Sequence, residues 1–431
     1  MKYFSKTSLS LWLFFFFLIS IPAFSQNAIL IKNTNVITVS TDKVLKNTDV
    51  LIENGIIRKI GNKIPANTAY LVLDGKGKFL MPSLADMHSH IPLKSDKKLT
   101  TKHYLLLQLA AGVTTLRSMR GNYEHLSLRD SVQKEYILSP NLVLSAPPIT
   151  RQTKTNINTD SLVQKYKADG FDFIKILSIP SKDFYKKIQE SALKAGLKVV
   201  GHLPAGDIDL ALQYKQYSIE HLQGYTDYYE KGLSSELEKL LDLTVQNNVY
   251  NCPTMDWTFV GSLYYPLQQL KERIGMDFLP ELLKSSWEKT LVDYIKTVKP
   301  DEAKKDSLHL ISVQNIMQKM RDKKYKLILS PDASGIFQVP GFGLVEEMKL
   351  FKKFGFSNYE ILKIATINAS EYFGESDKSG FVKENYNANL ILLNGNPLEN
   401  IENISKIDGV ILNGKWYSEN SLKEQLKQNL K

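Results

Sequence analysis

Cysteine is almost missing from the 431 residues: Cys252 stands alone. No intramolecular disulfide can brace the fold, and no thiolate cluster can hold zinc. Any metal must therefore be bound by nitrogen and oxygen. A glycine-rich phosphate turn after an early strand is missing too, which argues against an open, doubly wound nucleotide-binding sheet. Positive charge is present but never concentrated. The formal net charge of +10 is spread over surface-helix patterns such as Lys271 to Arg273 and the pair Lys304 and Lys305. With no basic cluster interleaved with aromatics, nucleic acid is not an expected partner. Only one long apolar run occurs, Leu9 to Ile21, preceded by Lys2 and Lys6 and followed by Ala23, Phe24 and Ser25. It is shorter than the roughly 20 residues that span a bilayer. Residues 1–25 read instead as a secretory signal cut before Gln26, which predicts an exported protein, periplasmic or secreted, with no transmembrane segment in the mature chain. What remains has an ordinary globular composition, 43% hydrophobic and 23% charged.

Two rhythms divide that remainder. From Ala28 to Leu80 short alternating strands include Asp49 to Glu53 and Ile56 to Ile60 around an Asn54-Gly55 pair, the signature of a hairpin. The same vocabulary returns in Leu390 to Leu393 and Val410 to Tyr417. Between them, apolar strands ending near His88, Ser118, Ala146, Leu177, His202, His221, Pro253 and Ser330 alternate with amphipathic stretches such as Ser181 to Ala195 and Asn358 to Phe373. The predicted architecture is α/β: a TIM-like (β/α)8 barrel over residues 83–375, with an insertion at about 255–324. A small β-sandwich domain is expected to form from both chain ends, residues 26–82 and 376–431. An insertion of that length on a barrel's catalytic face can serve as a lid or specificity wall, or simply as packing.

Four of the seven histidines fall at predicted strand ends, where a barrel enzyme keeps its active site. His88 and His90, two apart, share a strand face and can converge on one cation. His202 and His221 close two adjacent strands, and Asp332 ends the eighth strand, which barrel closure would bring beside the first. Lys175, in Phe171-Asp-Phe-Ile-Lys-Ile, lies on an apolar interior face that disfavours its charged form. A neutral amine there can take up carbon dioxide, and the carbamate would be an anionic ligand able to bridge two cations. For Lys175 alone the competing reading is a side chain that snorkels to the strand end. Convergence of all six at one end points to a metal site. His103 and His309 are expected in surface or packing roles.

This order of residues resembles the amidohydrolase superfamily, and more closely its imidazolonepropionase-like branch, which includes Xaa-Pro dipeptidases. The telling segments are Met81 to His90, Ala111 to Arg117, Phe171 to Ile176, Ser218 to His221, Ala365 to Ala369 and Gly380 to Pro397. The resemblance implies two divalent metal ions, zinc being the expected metal, with His88, His90 and Asp332 on one ion, His202 and His221 on the other, and carboxylated Lys175 bridging. The chain departs from the family pattern after the third strand, where Pro148 to Asn156 replaces glycines and a histidine, and at Ser118, Ser178-Ile179 and Ser330-Pro331. These departures spare the implied ligands and bear on specificity.

The function expected is hydrolysis of an amide or peptide-like C–N bond in a small molecule: a dipeptide, an acylated amino acid or a cyclic amide. A hydroxide bridging the two metals would be the nucleophile, and Asp332 the catalytic base and then acid. Arg117, Arg151, Tyr225 and Tyr228 follow strand ends and are candidate substrate-binding residues, Arg being suited to a carboxylate. Lactone or ester hydrolysis at the same site, and a non-catalytic binding protein on this scaffold, are the alternatives. A deaminase is disfavoured because His202-Leu-Pro-Ala205 lacks the glutamate of such relatives. The sequence is compatible with a homo-oligomer.

Overall fold

The structure, a computed structural model, describes residues 28–430. The signal segment expected at 1–25 lies outside the described residues. Strands from both ends of the chain share one eight-stranded sheet. The first five are β1 (Ala28–Ile37), β2 (Val44–Glu53), β3 (Ile56–Gly61), β4 (Leu71–Asp74) and β5 (Phe79–Pro82). The parallel strands β6 (Leu84–Ser89), β7 (Val113–Ser118), β8 (Asn141–Leu144), β9 (Phe173–Ile176), β10 (Lys198–Gly201), β11 (Ser218–Glu220) and β12 (Tyr250–Cys252) follow. The last three, β13 (Leu390–Leu393), β14 (Ile407–Leu412) and β15 (Lys415–Ser418), return to the first sheet, whose order is β15-β14-β13-β5-β1-β2-β3 with β4 beside β1.

Strand β13 is apolar throughout because it is covered on both faces: Leu390 and Leu392 pack with Ile29, Ile31 and Val50, whereas Ile391 and Leu393 join the main core. Two hairpins use the expected turn chemistry. Asn54-Gly55 and Asn413-Gly414 all have positive φ, from 50° to 77°, as a tight two-residue turn between right-twisted strands requires. The two turns also meet, since a Cβ on Gly414 would stand 2.5 Å from Gly55 Cα.

The parallel strands form a three-stranded sheet, β6-β7-β8, and a four-stranded sheet, β9-β10-β11-β12. A parallel bridge between Ser145 and Phe173 links the two. Where an eighth strand ending near Ser330 was expected, the chain is irregular, yet it is bonded on both sides. Ile328 N–H donates to Asn251 O at 3.0 Å, and Met87 N–H donates to Leu329 O at 3.0 Å. The regular ladder stops because Pro331 has no N–H and because side chains take over: Asn368 Nδ2 donates to Leu327 O, and Ser330 Oγ to His88 O. Ala85, Met87, Phe173, Val200, Tyr250, Cys252 and Ile328, drawn from both of these sheets and the segment after Lys326, pack together in one buried apolar cluster.

Helices follow the strands with the local signals read from the sequence. Ser181 caps Lys182–Ala195 by accepting from Phe184 N–H, and Gly196, with φ of 70°, ends it. The segment expected as one helix from Asn358 to Phe373 is two, Asn358–Ala365 and Ile367–Phe373, broken at Thr366, whose hydroxyl turns back to Leu362 O. Between β12 and Lys326 the chain forms the helices Met255–Gly261, Leu267–Lys271, Glu281–Thr297 and Pro300–Asp322. A buried bidentate pair, Arg273 with Asp256, ties this region down, and Glu347 accepts from the backbone N–H groups of Met255 and Asp256. Among the described residues no helix is long and apolar enough to cross a membrane.

Candidate metal centre

At the carboxyl ends of the parallel strands, six side chains from separate parts of the chain face one cavity of about 790 Å³: His88, His90, Lys175, His202, His221 and Asp332. His88 and His90 come from β6 and the residue just beyond it, their rings 5.4 Å apart and nearly parallel. Asp332 lies between elements, 3.2 Å from His90 Nε2, 3.9 Å from His88 Nε2 and 4.0 Å from His221 Nε2. Lys175 projects from β9 beside Gly201, whose φ of +118° and missing side chain leave room for it; a Cβ there would stand 2.7 Å from Lys175 Cδ. His221 and Asp332 have left-handed backbone, with φ of 62° and 52°, as does Thr254 at 46°. For a histidine and a β-branched threonine this conformation is costly, and such strain gathers at functional sites.

The neighbours of each imidazole decide which nitrogen faces the cavity. His88 Nδ1 donates to Glu220 Oε2 at 2.8 Å, and His202 Nδ1 to Leu177 O at 2.9 Å. The Thr254 hydroxyl gives its proton to Pro253 O, so the 2.6 Å contact with His221 Nδ1 is a donation from the ring. All three therefore carry a proton on Nδ1 and a lone pair on Nε2. His202 Nε2 and His221 Nε2 stand 3.1 Å apart with no proton to share. Such a pair is repulsive unless a cation lies against both. Within the six clustered residues, two further buried atoms lack hydrogen-bond partners among the described residues: His90 Nε2, close to Asp332 but outside bonding geometry, and Lys175 Nζ. Imidazole and carboxylate donors with orphaned lone pairs fit a divalent transition metal.

Electrostatics agree. Burial foremost, then neighbouring positive groups, keep the imidazoles neutral, drawing His90 to about 3, His202 to about 4, and His88 and His221 well below the ordinary range. Burial also draws Lys175 down to about 8. It pushes Asp332 up to about 7, with Asp86 and Glu220 acting in the same direction against Ser334 and Lys175. Neutral imidazoles are the form that binds a metal.

A model of the amidohydrolase family matches residues 79–417. The chain belongs to the amidohydrolase family. Members are hydrolases that act on carbon–nitrogen bonds and are generally metal-dependent, and the grouping of His88, His90 and Asp332 within ligand distance of one another is consistent with that. Over 63 residues the chain is 38% identical to a 5-methylthioadenosine/S-adenosylhomocysteine deaminase of Caldanaerobacter subterraneus, which covers 15% of this chain and 14% of that protein. Over 61 residues it is 49% identical to a dihydroorotase of Carboxydothermus hydrogenoformans, 14% of each. The chain thus matches about one seventh of the length of these curated relatives. Solved structures align far more widely. A Xaa-Pro dipeptidase with bound methionine in the active site superimposes with a TM-score of 0.68, 20% identity and coverage of 91% of this chain and 100% of that one. A bottromycin amidohydrolase gives 0.72, 18%, 94% and 90%. This likeness shows that the chain has the α/β amidohydrolase fold.

Within this amidohydrolase-family chain, three expected substrate contacts are placed elsewhere. Arg117 is fully buried on the inner face of β7, where its guanidinium donates to Glu220 at 3.0 and 3.1 Å and to the Tyr372 hydroxyl at 2.6 Å. It lies beneath the cluster because strand alternation turns it inward. Tyr225 is buried too, its hydroxyl 2.8 Å from Thr244 Oγ1, and Tyr228 donates to Asp209 at 3.0 Å. Helix packing, and not the cavity, takes both. Arg151 does line the cavity.

Sequence reasoning missed Glu220. Its carboxylate is fully buried and accepts from His88, Arg117 and Ser218. Burial pushes its carboxyl up, but Arg117 and then Lys175 outweigh that and hold it below the usual range. His309, expected at the surface or in packing, lines the cavity together with Trp257. A neighbouring cavity of about 740 Å³ shares His90, Leu177 and Ser334. Another of about 480 Å³ opens at the opposite end of the strands, near Pro82 and Lys198, and holds none of the six residues.

Proposed function

We propose that this chain is an exported, metal-dependent amidohydrolase that cleaves an amide or peptide-like C–N bond in a small molecule. The observation that carries the reading is the pair of Nε2 lone pairs 3.1 Å apart, set beside Asp332 and a buried lysine nitrogen without a partner among the described residues. On this reading the seven strands and the segment Lys326 to Ser330 form a closed eight-membered barrel, supported by the bonds from Met87 to Leu329 and from Ile328 to Asn251. The β-sandwich of residues 26–82 and 376–431 stands beside it as a second domain, after removal of residues 1–25.

His88, His90 and Asp332 would hold one ion, His202 and His221 another, and Lys175, carboxylated on Nζ, would bridge both. Carbamate formation needs a neutral amine, which adds carbon dioxide and loses one proton; burial of Lys175 supplies that amine. Two divalent ions, zinc being the expected metal, would supply Lewis acidity toward a carbonyl and an activated water. The protein's own groups do the rest. Asp332, at the centre of the cluster, takes the proton of the attacking water and returns it to the leaving nitrogen, so that one carboxylate serves as base and then acid. Glu220 and Thr254 hold His88 and His221 in the Nδ1–H form. The apolar layer at Met87, Phe173 and Val200 closes the floor to water.

Asp332→Asn tests the proposal. Turnover should fall by roughly 10² to 10⁴, the usual worth of a general acid–base group, while bound metal is retained. The assay joins metal analysis to a panel of Xaa-Pro dipeptides, acylated amino acids, cyclic amides and lactones. Full activity in the Asn variant ends the proposal.

A further inference from the structure

We propose that His309, supplied by the long helix Pro300–Asp322, is a specificity-determining contact of the same cavity and receives a substrate carboxylate together with Arg151. The inference rests on the hydrolase reading above. His309 lines the cavity that holds the six clustered side chains, although it is remote from them in sequence and sits on a different element.

Its orientation is built, not incidental. Glu230, the last residue of the helix Tyr225–Glu230, accepts from His309 Nδ1 at 2.7 Å and from Ser312 Oγ at 3.0 Å with the same oxygen. Ser312 lies one turn after His309 on the same helix, but its single hydroxyl proton is shared with His309 O at 2.7 Å, so the bond from His309 is the main tether to Glu230. Committing Nδ1 leaves Nε2 as the ring nitrogen without a partner among the described residues. To donate from Nε2 as well, the ring must carry both protons, with Glu230 as its counter-ion.

Arg151 supplies the second donor. Its backbone N–H is anchored to Ser178 Oγ at 2.9 Å, while its guanidinium has no acidic partner among the described residues. Among the described residues, the carboxylates lining the cavity are Asp332 and Asp227. Arg151 and His309 thus line the same cavity as the clustered ligands, and on this proposal both donate to one substrate carboxylate. An arginine and a tethered histidine suit a planar carboxylate better than a neutral amide. Glu230 is a positioning residue: it acts only through His309.

The experiment compares Ala-Pro with Ala-Pro amide as substrates of the metal-loaded full chain, and as ligands of the Asp332→Asn protein by calorimetry. The unaltered protein should prefer the acid. In His309→Ala that preference should shrink about tenfold, the worth of one charge-assisted hydrogen bond, through KM and not kcat. Glu230→Gln should lose part of it with metal content intact. Binding that prefers the acid and weakens in His309→Ala, without hydrolysis, would sink the hydrolase reading and leave this inference standing. Hydrolysis with an acid-to-amide ratio unchanged in His309→Ala, or no preference in either measurement, would overturn the inference.

Discussion

Replacing Glu220 with Gln perturbs the cluster without touching a proposed ligand. Glu220 and Arg117 are both fully buried and joined by two bonds of 3.0 and 3.1 Å, and the same carboxylate orients His88. Glutamine keeps one acceptor but removes the charge, leaving a guanidinium in the interior without its counter-ion. Breaking such a pair costs about 3–5 kcal/mol, and the retained acceptor puts the expected loss near the lower figure. The second effect is on the metal: loosening the group that fixes the His88 tautomer should weaken metal binding roughly 10- to 100-fold. Urea unfolding of the metal-free protein measures the first quantity, and competition with a chelator the second. The double variant Arg117→Met, Glu220→Leu separates them. It removes both buried charges and should recover much of the stability, yet still bind metal weakly because His88 Nδ1 has lost its acceptor. A Glu220→Gln protein destabilised by less than about 1 kcal/mol, with unchanged metal affinity, would show that the buried pair neither supports the fold nor orients the ligand.

Other expectations follow from the same geometry. In Gly201→Ala the new Cβ would stand 2.4 Å from Ile176 O and 2.7 Å from Lys175 Cδ. Metal content should fall and stability drop by about 2–4 kcal/mol, whereas Gly206→Ala, with positive φ but open space around it, should cost about 1–2 kcal/mol and keep the metal; equal effects would discredit the close-approach argument. In metal-free protein, imidazole resonances of His90 and His202 should show no protonation until the pH nears 3 and 4 respectively. The sign follows from linkage: the unfolded chain protonates near 6.5 and the folded one later, so the stability these residues contribute is lost as pH falls from about 6.5 toward those lower values. Midpoints near 6.5 in the folded state would contradict their burial.

The hairpins were legible because Asn54-Gly55 and Asn413-Gly414 dictate their turns locally. His88 and His90 were legible as a pair because two-residue spacing on a strand is itself a geometric statement. Lys175 stood out as a cation within an apolar strand, and the structure buries it without a partner among the described residues. His221 was legible at its strand end, but nothing marked Glu220 beside it: consecutive strand residues should point apart, and only the left-handed backbone at His221, with φ of 62°, lets both join the cluster. Arg117 was a candidate because it follows a strand end, and that proximity does not say whether an arginine reaches the cavity or is buried against Glu220. His309 carried no local signal, because its place depends on how a helix some distance along the chain packs against Glu230.

What the sequence determined by itself was the set of donors: nitrogen and oxygen ligands in place of thiolates, an apolar strand around Lys175, and turns that return the chain ends to one sheet. What only the tertiary structure decided was which nitrogens face each other and which charges lie beneath them. Ring orientation and buried pairing depend on atoms from β6, β7, β11 and the segment before Asp332 meeting within a few ångströms, a condition no stretch of sequence contains.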